Sequence, residues 1–155
     1  DKAYGYEYLK EIVNHHISGQ MKVAPEHIND KVLALMGKPG KDSLVKFKTM
    51  FDRLNKESGK NQFLTYYLIA AHPGCSDKEM HSLKDFATNV LKMNPEQAQV
   101  FIPTPSTYST LMYYTGLDWK TRQPIFVERD MGKKEKQKSI VITKERVPRS
   151  GGMDM

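Results

Sequence analysis

The stretch Phe63–Ala71, FLTYYLIAA, constrains the fold more than any other part of the chain. It is a nearly continuous apolar run, rich in aromatics and without alternation, which suits a strand covered on both faces, as in a parallel sheet. It is too short to cross a bilayer, which takes ~18 apolar residues. His72-Pro73-Gly74 ends the run. Ser76 and Glu79 then form a capping box for a helix carrying Met80, Leu83, Phe86, Val90 and Leu91, which stops at Asn94-Pro95.

The flanking segments extend this pattern. Tyr4, Tyr8, Ile12 and Val13 fall at helical spacing, and His15-His16 close that helix before Gly19. The two adjacent histidine rings are expected to point to different faces. Gln20–Ala24, QMKVA, is a short extended run stopped by Pro25. Asn29 caps a short helix with Val32, Leu33, Leu35 and Met36, and Asp42 caps a longer one with Leu44, Phe47, Phe51 and Leu54 that ends at Gly59. Ala98–Ile102, AQVFI, is a third strand, ended by Pro103-Thr104-Pro105. Leu111–Tyr114 read as a helical turn and Ile125–Val127 as one more short strand.

The order helix, then strand–helix–helix–strand–helix–strand, implies right-handed crossovers and a parallel sheet, hence an α/β fold. Three principal strands leave two edges unpaired, which points to a piece of something larger and invites a weak homodimer. The opening at Asp1 rather than Met agrees with a cut end.

Composition narrows the function classes. The single cysteine, Cys75, excludes a disulfide framework and a four-thiolate metal site built from this chain alone, and it suits a reducing, cytoplasmic setting. No stretch resembles a signal segment or a membrane span. The net charge of +6 raises the question of nucleic acid, but it is unevenly placed. From Arg129 onward there are eight basic and four acidic residues, so residues 1–128 are nearly neutral. The chain divides into a body, residues 1–130, and a basic, largely disordered tail, 131–155, whose Ser150-Gly151-Gly152 is its least structured-looking part.

Ligands of barrel and doubly wound α/β proteins bind beyond the carboxyl ends of the strands. Here those ends read Pro25-Glu26-His27, His72-Pro73-Gly74-Cys75 and Pro103-Thr104-Pro105. Glu26, His27 and His72 offer zinc-type donors without a local metal motif; the plainer reading is loop histidines bonded to nearby carbonyls. Cys75 precedes a helix start that can lower a thiol pKa, with His72 as a nearby base; it is otherwise an ordinary thiol in a turn. Lys22 on a short strand either points into a site or lies at an edge. The tyrosines at 66–67 and 108–114 are read as packing, since no basic groove accompanies them.

Together these motifs resemble a known family. LTYYLIAAHPGCSDKEMHSL, QAQVFIPTPSTYSTLMYYTGLD, SGQMKVAPEHIND and VLALMGKPGKDSLVKF are similar to the C-terminal half of the radical SAM core of YgiQ-type proteins, over roughly residues 4–130. The resemblance implies half of a partial TIM-like barrel with strands four, five and six. It implies a parent enzyme that uses a [4Fe-4S] cluster and S-adenosylmethionine, the cluster cysteines lying in the absent N-terminal half of the same barrel. By similarity Ile69 to His72 and the following loop lie along the adenine, Phe101 and Ile102 also lie near it, and Lys22, Glu26 and His27 lie near ribose and methionine groups. Ala71 stands where the superfamily often has glycine, and Trp119 where the family commonly has proline, a change expected to alter only a surface turn. The fragment is expected to bind no cluster and to be inactive alone. The competing expectations are an interaction module whose basic tail docks on nucleic acid or ribosomal RNA, and a metal-dependent hydrolase using Glu26, His27 and His72.

Overall fold

In a computed structural model, which describes residues 4–93, 95 and 97–142, the elements follow the expected order. Helix α1 (Gly5–Glu11) runs into a π-helical turn (Ile12–His16), then strand β1 (Gln20–Glu26). Helices α2 (Asp30–Leu35) and α3 (Lys41–Glu57) lead to β2 (Phe63–Ala70). Helix α4 (Asp77–Asn89), the short β3 (Gln99–Val100), α5 (Tyr108–Thr115) and α6 (Met131–Val141) complete the chain. The three strands form one parallel sheet in chain order, with β2 central. This is an open α/β sheet.

Local chemistry sets the helix starts. Asn29 accepts from the backbone N–H of Lys31 and Val32, and Ser76 and Glu79 close the expected capping box. The longer helix differs from the expectation that Asp42 caps it. Gly40 is its N-cap, and Asp30 of the preceding helix accepts from the Lys41 N–H at 2.8 Å.

The helices cover one face of the sheet. Val23, Leu64, Tyr66, Leu68 and Ala70 pack there with Ile28, Val32, Met80, Leu83 and Phe86. Leu9, Val13, Phe47, Phe51 and Leu54 form a second cluster over Met21 and Leu64. The other face is half-covered at most: along β2, Phe63 is exposed while Thr65, Tyr67 and Ile69 are half-buried. The apolar run FLTYYLIAA thus has one buried face and one that this chain leaves open.

Two further expectations are corrected. Ile125–Val127 form no strand; the local pairing is an antiparallel bridge between Leu117 and Pro124. Met131–Val141, assigned to a disordered tail, is a helix. Asp130 caps it, accepting from Lys133 N at 2.8 Å, and Lys134, Gln137 and Val141 are buried on its inner face against α4 and the sheet. Residues 143–155, with Ser150-Gly151-Gly152, lie outside the described residues. Among the described residues no helix is long and apolar enough to cross a membrane.

Candidate functional site at the carboxyl rim of the sheet

Because the strands are parallel neighbours, their carboxyl ends share one rim. Glu26 at the end of β1 (φ +64°) and Ala71 just after β2 (φ +59°) are non-glycine residues in the left-handed region, and so is Ser106 (φ +63°) in the loop that follows β3. Such conformations cost of order 1 kcal/mol or more apiece, and they cluster where loops are held for a purpose. At Glu26 the strain coincides with an irregularity in the β1–β2 register between Val23 and Glu26.

The rim histidines are built into the core. His27 is 1% exposed. Its Nδ1 accepts from Asn29 N–H at 2.9 Å, which leaves the proton on Nε2, and Nε2 lies 3.4 Å from Cys75 Sγ. The thiol in turn donates to Ser76 O at 3.7 Å. Gln137 Nε2 of α6 reaches Cys75 O at 3.4 Å. Burial and then the neighbouring His72 lower His27 to about 4. Burial pushes the Cys75 thiol up to about 12, overriding the helix start that follows it. This overturns the reactive-thiol reading of Cys75.

His72 is also buried. Its Nδ1 donates to Pro73 O at 2.8 Å, Nε2 accepts from the Ser109 hydroxyl at 2.8 Å, and its ring sits edge-on to Phe101, 5.1 Å between centroids. Burial lowers it to about 4 despite the Pro73 carbonyl. Both histidines are therefore neutral at pH 7 and have both ring nitrogens engaged. Glu26 pairs with Lys38 at 3.4 Å, whose Nζ also donates to Ala24 O. The zinc reading of Glu26, His27 and His72 thus finds each group already partnered, and no cluster of three metal donors occurs among the described residues.

The remaining candidates face outward. In the β1–β2 register Gln20 pairs with Phe63 and Lys22 with Thr65, and Ile69 pairs with Gln99. Side chains alternate along a strand, so Lys22, Tyr67, Ile69 and Gln99 share the helix-free face. Lys22 lies on an edge strand and also on this face, its Nζ 5.5 Å from the Tyr67 ring centroid. Ile102 is 71% exposed, whereas Phe101 is tucked against His72 and Tyr113.

Sequence reasoning missed several partners. Ser109 and Gln137 come to the rim only through the packing of α5 and α6, for which the sequence carries no local signal. Trp119 does more than alter a turn: it stacks on Tyr108, 4.3 Å between centroids, and fastens the 116–124 loop to α5. His15 and His16 do not diverge. In the π-helical turn Glu11 has His16 Nε2 at 3.6 Å and His15 Nε2 at 3.9 Å, because the wider turn sets positions four and five on beside the same residue.

The fold and rim define an α/β protein whose loops gather titratable groups at the carboxyl ends of parallel strands. The chain is similar to a segment of the UPF0313 proteins. One from Fusobacterium nucleatum subsp. nucleatum is 62% identical over 146 residues, 94% of this chain and 26% of the relative. One from Methanosarcina mazei is 44% identical over 135 residues, 87% of this chain and 21% of the relative, and one from Clostridium botulinum strain Loch Maree is 44% identical over 137 residues, with the same shares. The chain therefore spans about a quarter of the length of the relatives it matches. No family model and no solved structure matches it.

Proposed function

We propose that this chain is the C-terminal half of a radical SAM partial barrel, contributing part of the SAM and substrate surface of a longer enzyme. The observation that carries the reading is the helix-free face of a three-stranded parallel sheet whose strands end together at one rim. One-sided coverage and two open edges suit a sheet that continues into further strands. The short coverage of its relatives suits a segment too. The sequence motifs supply the rest.

The residues divide by their fit to the cofactors. A [4Fe-4S] cluster does not fit this chain, since its one cysteine is buried and bonded to His27. Adenosine fits the rim better: half-buried Ile69 and exposed Ile102 offer apolar contact beside the end of the sheet. In the parent enzyme a cluster and SAM, when bound, would supply the radical-initiating chemistry. Within this chain His27, His72 and Glu26 set the loops: the two imidazoles lock the ends of β1 and β2 to Cys75 and Ser109, and the Glu26–Lys38 pair holds the strained turn.

The basic-tail alternative gains no support from α6, which packs inward through its own Lys134. The test is anaerobic reconstitution of the full-length protein with iron and sulfide, followed by assay of 5′-deoxyadenosine release from SAM. Release is expected, and Ile69→Asp should weaken SAM binding. A full-length protein that holds no cluster and cleaves no SAM overturns the reading.

A further inference from the structure

We propose that the cleft between β2 and β3 on the helix-free face binds a small carboxylate- or phosphate-bearing molecule, with Lys22 as its anion contact. The inference rests on the half-barrel reading in taking this face as an enclosed interior.

The cleft arises from the sheet itself. β2 has eight residues but pairs with β3 only at Ile69–Gln99 and Ala70–Val100. Toward its amino end the two strands diverge, leaving a cavity of about 450 Å³. That is within the ~300–1,000 Å³ of small-molecule sites. Along Phe63–Tyr67 the β2 edge facing it has no strand partner among the described residues.

The lining states the ligand's chemistry. Gln20, Lys22, Thr65, Tyr67, Gln97 and Gln99 supply amides, a hydroxyl, an aromatic ring and one cation, and among the described residues no carboxylate lines the cavity. Gln20 Nε2 donates to Thr65 Oγ1 at 2.8 Å, fixing that wall. Lys22 has no carboxylate within 4.0 Å among the described residues; its nearest recorded partner is the Tyr67 ring. Lys22 is exposed in this chain; on the half-barrel reading, which encloses this face, an ammonium without a counter-charge is costly and an anionic ligand removes that cost. The face is also graded. Toward the carboxyl rim it turns apolar, through Ala24 and Ile69, which separates an adenosine end from an anion end below it.

The experiment titrates citrate, inorganic phosphate and SAM, each separately, into the full-length protein by calorimetry. The wild type is compared with Lys22→Met, with Lys22→Arg, and with Lys46→Met as a remote control. We expect citrate or phosphate to bind, the stronger of the two identifying a carboxylate or a phosphate ligand. Lys22→Met should weaken that anion at least ~tenfold, as loss of a charge-assisted hydrogen bond does, while Lys22→Arg and Lys46→Met hold it. SAM affinity should stay within about twofold in Lys46→Met, and it is read separately in the Lys22 variants because the family resemblance also places Lys22 near the ribose and methionine groups of SAM. Binding of neither anion by the wild type, or unchanged anion affinity in Lys22→Met, overturns the proposal. So does loss of SAM in Lys22→Met, which would assign the ammonium to the cofactor. Lys22-dependent anion binding by a protein that takes no SAM leaves this site standing and removes the cofactor reading instead.

Discussion

His27 Nε2 lies 3.4 Å from Cys75 Sγ, joining the ends of β1 and β2 across 48 residues of sequence. With His72 beside it, this contact places two neutral imidazoles in the core, each lowered from 6.5 to about 4. Below pH ~6.5 the unfolded chain takes up protons that the folded chain refuses until about 4, so folding stability falls as pH drops through that window. Above it these groups add no pH dependence. The loss amounts to roughly 3 kcal/mol per histidine, and less than twice that for the pair, since part of the His27 shift is repulsion by His72. Urea unfolding at pH 7.5 and pH 4.5 measures it. A midpoint unchanged between the two would show that the imidazoles are not buried in this way.

Cys75 is fully buried and its thiol is raised to about 12, so thiolate is scarce at ordinary pH. Native protein at pH 8 should resist iodoacetamide, and protein in urea should be labelled at the ordinary rate of a free thiol. Mass spectrometry over a time course reads both. Rapid labelling of the native state would restore the reactive-thiol reading that the sequence invites.

What the sequence made legible is what local chemistry decides. The capping box at Ser76–Glu79, the Asn29 cap and the apolar run of β2 each carry their signal within a few residues, and the parallel order follows from their alternation. The rim was legible for the same reason, since parallel strands must end together. Helix α6 was not, because its buried face is Lys134, Gln137 and Val141, two of them polar, and the lysine count reads as a solvated tail. The pairing of His27 with Cys75 and of His72 with Ser109 depends on tertiary packing that no spacing encodes. The π-helical turn at Ile12–His16 escaped notice because its carbonyls are satisfied from afar: Gln62 Nε2 donates to Val13 O and Ile17 O, and Lys60 Nζ to Asn14 O.

Ala71 and Gly74 make opposite tests of the loop after β2. Ala71 sits at φ +59°, where a Cβ is strained, so Ala71→Gly should stabilise the protein by about 0.5–1 kcal/mol despite the added chain entropy. Gly74, at φ +87°, has room for no side chain, since an added Cβ would lie 2.3 Å from Leu35 Cδ1. Gly74→Ala should destabilise by about 1–3 kcal/mol from strain and displacement of Leu35. Denaturant midpoints of the two variants should move in opposite directions. A destabilised Ala71→Gly would mean that its methyl packing outweighs the backbone strain.

Lys134 Nζ and the Tyr113 ring are 4.4 Å apart, and the ammonium donates to the Tyr113 hydroxyl at 3.2 Å. Lys134 is 2% exposed and pairs with no carboxylate within 4.0 Å among the described residues, so the tyrosine is the main support of a buried charge. Removing the charge and removing its support should therefore have unequal effects. Lys134→Met keeps the stem's packing and should change stability by less than about 1 kcal/mol in either direction. Tyr113→Leu strands the ammonium and loses contact with Phe101, and should cost roughly 2–3 kcal/mol. The double variant should then be more stable than Tyr113→Leu alone, by about 1 kcal/mol, because no charge is left unsupported. A double-mutant cycle in urea measures all three. If the double variant is the least stable of the set, Lys134 contributes through contacts other than Tyr113.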